Sequence, residues 1–543
     1  MMQMTEPTMN QSLKCSPPVL DAPTTIAQLL FSSAERFAGH TAIEENGQCT
    51  DYAELPNQAL TITRGLMALG IQAGDRVGIW APNSRDWILA ALGIHCAGAV
   101  LVPINTRMKG TEAADVLARS GCRVLFVQQR FLDVDYPAML EPHRPASLEH
   151  LVVLASDTPP RPGDLSFQQF LLGAATYDTE AARRRALAIE PQAMCDLLFT
   201  SGTTGKPKGV MSGHGQNLRA FSEYVKVIGL VPGDRYLIVN PFFHAFGYKA
   251  GWLTCLIAGA TILPHAVFDA DAVFQRIANE RISVLPGAPT LYLSLLAHPR
   301  LAETDLSSLR IAVTGSASIP PSLIERMRNE LGFSVVTTAY GLTECGGLAT
   351  LCDPQDSAQV IAGTSGRPIA GTEVSIRDPH NQALANGETG EICLRGFHVM
   401  QGYFENPEAT AEAIDADGWL HTGDVGRLDE AGNLIITDRL KDMYIVGGFN
   451  CYPAEIEAAL IAHPAIAQVA VIGVADARMG EVGCACVVLR EGQTLDESAL
   501  ISWSRERMAN YKVPRLVRFF DALPLNPSNK VAKNELRAAI NPG

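Results

Sequence analysis

Short apolar runs alternate with amphipathic helical patterns through the first two thirds of the chain, and this alternation restricts the fold more than any other feature. A helical pattern at 271–280 precedes a predicted strand at 283–285. An apolar run at 311–313 leads into a helical pattern at 321–331. Such alternation is typical of parallel sheets that are covered by helices. We therefore expect an α/β protein.

The chain has 543 residues, whereas single hydrophobic cores stop growing near about 250–300 residues. After Gly363, short strand-like segments alternate with Gly and Asp turns, which indicates a β-rich subdomain. The final part of the chain has the pattern of a compact α+β unit. We predict a flexible leader at 1–23, a large N-terminal domain of two parallel α/β subdomains plus the β-rich subdomain at 24–438, and a small C-terminal domain at 439–543.

The formal net charge of −14 argues against the basic face that a nucleic-acid binder needs. It is compatible with anionic small ligands, because a few local cations and backbone N–H groups suffice to hold them. The 12 cysteines are dispersed, as reduced thiols in a reducing compartment usually are. We therefore expect a cytoplasmic protein that acts on small molecules.

Residues 87–105 contain no Asp, Glu, Lys or Arg and resemble a membrane span at first sight. His95, Gly98 and Pro103 interrupt this stretch, however. A helix through Cys96 followed by a buried strand at 99–102 explains the pattern better than a span does. We expect no transmembrane helix.

The segment from Asp196 to Val210 has the strongest local signal. A buried strand runs into a loop of hydroxyl residues, glycines and a lysine, which are Thr200, Ser201, Gly202, Thr203, Thr204, Gly205 and Lys206. Hydroxyls, backbone N–H groups and a lysine on one loop can surround a phosphate. The spacing differs from that of the P-loop NTPases. A solvated surface loop is the alternative interpretation.

Three weaker segments follow. Thr343 and Glu344 come after a Gly hinge, where a hydroxyl and a carboxylate could contact a phosphate and Mg²⁺. Asp424 ends a tight turn, and such a carboxylate can accept two ribose hydroxyls, with Arg439 able to reach the same ribose. Lys530 closes a Pro/Asn-rich turn near the C-terminus. Taken singly, each segment is equally typical of a solvated turn or a surface ion pair.

Together, in this order and at these separations, the four segments resemble the adenylate-forming superfamily of acyl-CoA synthetases, peptide-synthetase adenylation domains and luciferases. The resemblance extends from about Ile26 to Leu536. It implies an ATP-dependent acid–thiol ligase that forms an acyl-adenylate and then an acyl-CoA. It also implies a mobile C-terminal domain, with a carboxylic acid, ATP, Mg²⁺ and coenzyme A as ligands. A homodimer is compatible with this family.

In the family pattern, nucleotide binding falls on the loop 200–206 and on residues that frame the adenine or hold the ribose, which are Gly315, Ser316, Ala317, Thr338, Ala339, Tyr340, Gly341, Asp424 and Arg439. Thr343 would contact the α-phosphate, and Glu344 would bind the metal. Lys530 matches the catalytic lysine, a compact cation suited to the charge that develops when a carboxylate attacks the α-phosphorus. Asn529 stands where the family usually has glycine.

The same resemblance assigns residues to the second half-reaction and to the acid. Lys441 matches the hinge, and Gly447, Gly448 and Phe449 match the wall of the CoA tunnel. His244 matches the residue that gates acid and thiol, with a buried packing histidine as the alternative. Four residues are expected to line the acid pocket, namely Phe246, Gly247, Ala317 and Ala339.

The segments 240–251, 284–292, 339–344 and 437–450 are similar to those of the bacterial steroid-catabolic ligases that act on a bicyclic ring C/D propanoate, abbreviated HIP. The alternatives are a medium- or long-chain fatty acid, an aromatic acid, or a carrier protein in place of CoA as the acceptor. A free-standing chain with no carrier module favours CoA.

Overall fold

The structure is a computed structural model, and it describes residues 23–155, 159–200, 207–315, 319–439, 442–446, 449–476, 479–508, 510–526 and 530–540. Residues 1–22 of the predicted leader and several of the predicted loop residues lie outside these ranges. The described residues form two large sheets, a β-rich unit and a small C-terminal unit.

The first large sheet has eight strands and a parallel centre. In spatial order its strands are Gly402–Tyr403, Lys208–Gly213, Met194–Thr200, Val100–Pro103, Arg76–Trp80, Val124–Val127, His150–Val153 and Leu165–Ser166. Lys208–Gly213 is antiparallel to both of its neighbours, so one edge of the sheet departs from the predicted parallel pattern. The central strands are buried, which is why they have continuous apolar sequences.

The second large sheet is also parallel at its centre and antiparallel at both edges. Its strands are, in order, Gln48–Asp51, Thr41–Glu45, Thr261–Pro264, Arg235–Ile238, Ile311–Thr314, Val335–Tyr340, Thr350–Leu351 and Arg367–Pro368. The predicted strand at 283–285 was too long. Val284 alone bridges the strands of Tyr236 and Ile311, and Pro286, two residues later, has no N–H with which to extend the pairing.

The β-rich subdomain is an antiparallel sheet of four strands, in the order Thr372–Arg377, Gly390–Gly396, Leu420–Leu428 and Leu434–Arg439. The C-terminal unit has a separate five-stranded sheet, made of Phe449–Cys451, Tyr444–Val446, Gly480–Leu489, Ile466–Asp476 and Leu516–Phe519. A small hairpin pairs Arg130–Phe131 with Val134–Asp135. The predicted fold class, with two α/β subdomains, a β-rich part and an α+β C-terminal unit, is confirmed.

Helices connect and cover these sheets. The α-helices before the C-terminal unit are Ile26–Arg36, Leu55–Ala68, Arg85–Cys96, Gly110–Ser120, Tyr136–Leu140, Phe167–Gly173, Thr179–Leu187, His214–Ile228, Ala245–Gly247, Thr254–Ala258, Ala270–Glu280, Pro289–Leu296, Pro321–Asn329, Ala358–Gly363 and Pro407–Ala413. The C-terminal unit adds Pro453–Leu460, Glu497–Arg505 and Lys533–Ile540. Shorter 3₁₀ turns occupy Glu141–His143, Ala174–Thr176, Pro299–Ala302 and Thr343–Cys345, and Tyr248–Leu253 is a π-helix.

The uncharged stretch at 87–105 folds as the sequence predicted. Helix Arg85–Cys96 leads into the fully buried strand Val100–Pro103 of the first sheet. Within the described ranges, every helix is too short or too polar to cross a bilayer.

Aromatic packing fixes the segment that follows strand Arg235–Ile238 of the second sheet. The Trp87 ring lies 5.3 Å from the Phe242 ring and 6.2 Å from the Trp252 ring. Tyr248 stacks on Trp252 with ring centroids 4.8 Å apart. These large rings are fully buried, so the segment 242–252 is tied firmly to helix Arg85–Cys96.

Candidate active site

The predicted phosphate loop connects the two strands of a hairpin. Met194–Thr200 and Lys208–Gly213 are antiparallel, with Thr200 opposite Lys208. The Thr200 hydroxyl donates to the Lys208 carbonyl at 3.4 Å. The hairpin therefore fixes both ends of the loop, whereas Ser201, Gly202, Thr203, Thr204, Gly205 and Lys206 lie outside the described residues.

Arg119 supports the far end of this loop, a contact that sequence reasoning missed. Its guanidinium donates to the Pro207 carbonyl at 2.5 Å and lies 5.6 Å from the centre of the Phe199 ring. Arg119 is on helix Gly110–Ser120, far from the loop in sequence. No local pattern links it to the loop, so it could not be found from the sequence.

Glu344 lies against the same hairpin. It sits on the 3₁₀ turn Thr343–Cys345, and the Tyr403 hydroxyl donates to its Oε1 at 3.0 Å. Burial, reinforced by the Glu344 carboxylate, raises the pKa of Tyr403, so the phenol remains a donor at neutral pH. The Lys208 ammonium lies 4.7 Å from the centre of the Tyr403 ring. Tyr403 thus links Glu344 to Lys208–Gly213, the second strand of the hairpin.

The surroundings of Glu344 fit a magnesium ligand. The carboxylate is half-buried and held at one oxygen by Tyr403. Magnesium usually binds through one or two carboxylates together with phosphate oxygens and water. The predicted roles of Thr343 and Glu344 are compatible with this geometry.

The predicted adenine frame forms where two parallel strands end side by side. Thr314 pairs with Thr338, so Gly315 lies next to the following strand. A Cβ at Gly315 would lie 3.4 Å from the Ala339 carbonyl oxygen and 3.6 Å from the Thr338 hydroxyl. The structure therefore brings Gly315, Thr338 and Ala339 together, whereas Ser316 and Ala317 lie outside its described residues.

Tyr340 links the adenine frame to the predicted ribose ligand Asp424. Its hydroxyl donates to Asp424 Oδ2 at 2.7 Å, although the two residues are 84 positions apart. Burial, followed by the Asp424 charge, raises the pKa of Tyr340 well above its ordinary value. Asp424 pairs with Arg439 across two antiparallel strands, and the Arg439 side chain lies outside the description. The predicted ribose residues are therefore adjacent in the sheet.

His421 organises the turn before Asp424. Its Nδ1 lies 2.8 Å from Glu391 and its Nε2 lies 3.5 Å from Asp415, so carboxylates flank both ring nitrogens. Glu391 also accepts a hydrogen bond from the Gly423 backbone N–H at 3.0 Å. Through these contacts the imidazole and its two carboxylates hold the backbone directly before Asp424.

Cys393 completes a group that has the composition of a metal site. Its sulfur lies 3.5 Å from His421 Nδ1, and the ligand atoms of Glu391, Cys393 and His421 are all within 4.8 Å of one another. Burial raises the pKa of Cys393 to about 12, so the thiol is neutral at physiological pH. The same ring nitrogen already lies 2.8 Å from a Glu391 oxygen. We interpret the group as a hydrogen-bonded support for the turn.

Replacing His421 by alanine should weaken nucleotide binding without stopping catalysis. The lost support costs about 1 kcal/mol, so the KM for ATP should rise about fivefold while kcat changes little. Steady-state kinetics with ATP varied would measure this. His380→Ala, at an exposed position of the same subdomain, is the control. An unchanged KM for ATP in His421→Ala would exclude the supporting role.

The charge of Lys530 acts on His244 although the two residues come from different units. Burial, followed by the positive charge of Lys530, lowers the pKa of His244 to about 4. The His244 side chain is nevertheless exposed, and its predicted role as a gate stays a prediction. At neutral pH the imidazole is uncharged, since its pKa lies far below 7. Its Nδ1 accepts the Phe246 backbone N–H at 3.3 Å.

The turn that carries Lys530 is closed by hydrogen bonds on both sides. The Lys530 N–H donates to Asn526 Oδ1 at 2.9 Å, and its carbonyl accepts from the Asn526 N–H at 2.7 Å. Asn529 lies outside the described residues. The Lys530 side chain is exposed.

Asn83 anchors the loop before His244, which sequence reasoning also missed. Its amide donates to the carbonyls of Ile238 at 3.1 Å and Asn240 at 2.9 Å, and its carbonyl accepts from the Phe242 N–H at 2.8 Å. Asn83 is buried. One side chain thus satisfies three backbone groups of the loop and fixes its path.

The predicted acid pocket is described in part. Phe246 and Ala339 are half-buried and pack against the main core, whereas Ala317 lies outside the described residues. Gly247 is buried, and a Cβ there would collide with the carbonyls of Asn240 and Pro241. The tight turn of the chain itself therefore requires glycine at this position.

The predicted hinge and CoA residues lie largely outside the description. Lys441, Gly447 and Gly448 are not among the described residues. Phe449 pairs with Val446 in an antiparallel hairpin of the C-terminal unit. The proposed roles of these residues stay predictions.

Comparison with known proteins identifies the family of the chain. The AMP-binding enzyme family matches residues 30–404, and the AMP-binding enzyme C-terminal domain matches residues 455–530. The chain belongs to the AMP-binding enzyme family. The predicted recognition of an adenylate-forming enzyme is thereby confirmed.

Particular relatives narrow the class. A 3-[(3aS,4S,7aS)-7a-methyl-1,5-dioxo-octahydro-1H-inden-4-yl]propanoyl:CoA ligase of Mycobacterium tuberculosis is 49% identical over 514 residues, covering 94% of this chain and 98% of the relative. A ligase of the same name from Rhodococcus jostii is 48% identical over 521 residues, covering 95% and 99%. The structure of the anthranilate CoA ligase AuaEII in complex with anthranoyl-AMP matches with a TM-score of 0.84 and 29% identity, covering 96% and 98%. The predicted ATP-dependent acyl-CoA ligase class is confirmed.

Proposed function

We propose that this enzyme joins the bicyclic propanoate HIP to coenzyme A. Two ligases named for the CoA thioester of this acid share 49% and 48% identity with nearly the whole chain, and this observation carries the proposal. HIP is a methyl-hexahydroindanedione with a propanoate side chain, and its 5-hydroxy form is a second candidate. A cytoplasmic location fits such a catabolic reaction.

In the proposed first step, a carboxylate oxygen of the acid attacks the α-phosphorus of ATP. The bond from phosphorus to pyrophosphate breaks, which gives acyl-AMP and pyrophosphate. Lys530 would lie beside the anions as they meet and would stabilise the charge of the transition state. Thr343 would donate to an α-phosphate oxygen, and Asp424 would hold the ribose.

We assign the metal of this step to Glu344. Bound Mg²⁺ would neutralise charge on the phosphates of ATP. The chain's own contribution is the half-buried carboxylate, oriented at Oε1 by the Tyr403 hydroxyl. Tyr403 therefore acts as a positioning residue for the metal ligand.

In the proposed second step, the CoA thiolate attacks the acyl carbon and AMP leaves as the C–O bond breaks. The C-terminal domain at 439–543 would first rotate about Lys441, which removes Lys530 and brings 447–449 to the thiol. The neutral His244 would border the path of acid and thiol. Each half-reaction thus uses a different face of the small domain.

A direct competition tests the substrate. HIP should be preferred over octanoate by at least about tenfold in kcat/KM, which corresponds to ~1.4 kcal/mol. Pyrophosphate release and acyl-CoA formation would be measured for both acids, with ferulate as the aromatic comparator. A preference for octanoate or ferulate would replace HIP by the corresponding acid class. If product formed with a carrier protein but not with free CoA, the proposal that CoA is the acceptor would be refuted.

A further inference from the structure

A fully buried ion pair lies beneath the candidate site. The Lys249 ammonium lies 3.2 Å from an Asp196 oxygen, and both side chains are 0% exposed. Lys249 also donates to the Ser212 hydroxyl at 3.2 Å. The other Asp196 oxygen accepts from the Asn217 amide at 2.8 Å and from the Cys195 thiol at 3.2 Å. Both charges are therefore paired and hydrogen-bonded inside the core.

The pair connects the two halves of the site. Asp196 lies on strand Met194–Thr200, which ends at the predicted phosphate loop. Lys249 lies on the π-helix Tyr248–Leu253, which directly follows His244 and the predicted acid residues. The contact therefore joins the segment that leads to the nucleotide with the segment that leads to the acid.

Residues that contact the pair extend this connection to two further segments of the site. Ser212 is on the second strand of the phosphate-loop hairpin, and Asn217 is on the helix that follows it. A Cβ at Gly346 would lie 3.6 Å from Asn217 Oδ1, so the Asn217 side chain lies beside the residue that follows the turn bearing Glu344. One polar cluster thus joins four segments, which are the strands Met194–Thr200 and Lys208–Gly213, the helix His214–Ile228 and the π-helix Tyr248–Leu253.

Stability does not explain a buried ion pair of this kind. Removing two charges from water is expensive, and apolar residues of similar volume often stabilise a core as well or better. In a low-dielectric interior, however, displacement of either partner is strongly resisted. Such a pair is therefore better suited to fixing distances than to adding stability.

We propose that Asp196 and Lys249 are positioning residues that hold the acid-binding segment in register with the phosphate loop. The inference rests on the proposed adenylation reaction. Alignment of a carboxylate with the α-phosphorus depends on sub-ångström placement, and a misplacement of about 1 Å can cost about 100-fold in rate. Lys530 supplies the mobile charge, whereas Lys249 fixes the frame within which that charge acts.

The test is the double variant Asp196→Asn with Lys249→Met, which removes both charges and keeps a side-chain oxygen at position 196 that can accept from Asn217. The matched control is Asp164→Asn with Arg144→Met, the same chemical change at a 2.9 Å pair whose Asp164 is 3% exposed. Pyrophosphate exchange, thioester formation from supplied acyl-adenylate, and Tm would be measured for both and for the wild type. Ser212→Ala, which removes one hydrogen bond and no charge, is a milder second variant.

The double variant should lower kcat of pyrophosphate exchange by about tenfold or more, with both KM values and the thioester step within about threefold. Ser212→Ala should lower the same kcat by about two- to fourfold.

Equal loss in both half-reactions, or a loss that the control variant shares, would show that the pair has only a structural role. A rise confined to the KM for the acid would make Lys249 an acid contact instead. An inactive wild type would refute the proposed function, whereas unaltered exchange in both site variants would refute only the positioning role.

Discussion

Replacing Lys530 by alanine should abolish acyl-adenylate formation while sparing the second half-reaction. Without the cation, exchange of pyrophosphate into ATP should fall at least about 1000-fold, or ~4 kcal/mol. Thioester formation from supplied acyl-adenylate should stay within about threefold of the wild type, because the proposed rotation removes this lysine before CoA attacks.

Lys533→Ala is the matched control for that experiment. Lys533 is a nearby lysine on the same unit, and its ammonium lies 2.9 Å from Glu457 in the C-terminal unit. Its removal should leave both half-reactions nearly intact. If Lys530→Ala lowered both half-reactions equally, the lysine would not be specific to adenylation. The same conclusion would follow if Lys533→Ala matched its effect.

Replacing Glu344 by glutamine should reduce kcat of adenylation about 100-fold, or ~2.7 kcal/mol. The amide keeps the size of the side chain and can still accept the Tyr403 hydroxyl, but it is a poor Mg²⁺ ligand. The magnesium concentration that gives half-maximal activity should therefore rise. Titration of MgCl₂ at fixed ATP, with AMP release as the readout, measures both effects.

Tyr403→Phe separates the metal ligand from its support. It removes the 3.0 Å hydrogen bond to Glu344 and leaves the carboxylate in place. We expect a loss of about tenfold in kcat and a smaller shift in the magnesium requirement. A Glu344→Gln enzyme with the wild-type magnesium dependence would show that the carboxylate acts elsewhere.

The sequence predicted the fold well wherever the signal was local. The apolar run that became Val124–Val127 and the helical pattern that became Ala270–Glu280 are local periodicities. The segment 283–285 was misjudged because its apolar residues are those of a buried strand, and only the following Pro limits the pairing to Val284. The antiparallel edges were not predictable either, because strand direction depends on distant partners.

The site was predicted residue by residue but not contact by contact. Tyr340 and Asp424 were both expected near the nucleotide, yet their hydrogen bond spans 84 positions. Likewise, Tyr403 reaches Glu344 across 59 positions. Lys249 gave no sign in the sequence of a buried carboxylate partner. Such contacts arise from tertiary packing, on which a local pattern carries no information.

Two glycines, one in the predicted acid pocket and one in the predicted adenine frame, have a practical consequence for redesign. Because Gly247 faces two carbonyls and Gly341 faces the backbone of Gly347, neither position can accept a side chain without moving the main chain. A library intended to change acid preference should therefore keep both glycines and randomise Phe246 and Ala339. The scaffold thus leaves few adjustable sites, and a small combinatorial screen is enough to explore them.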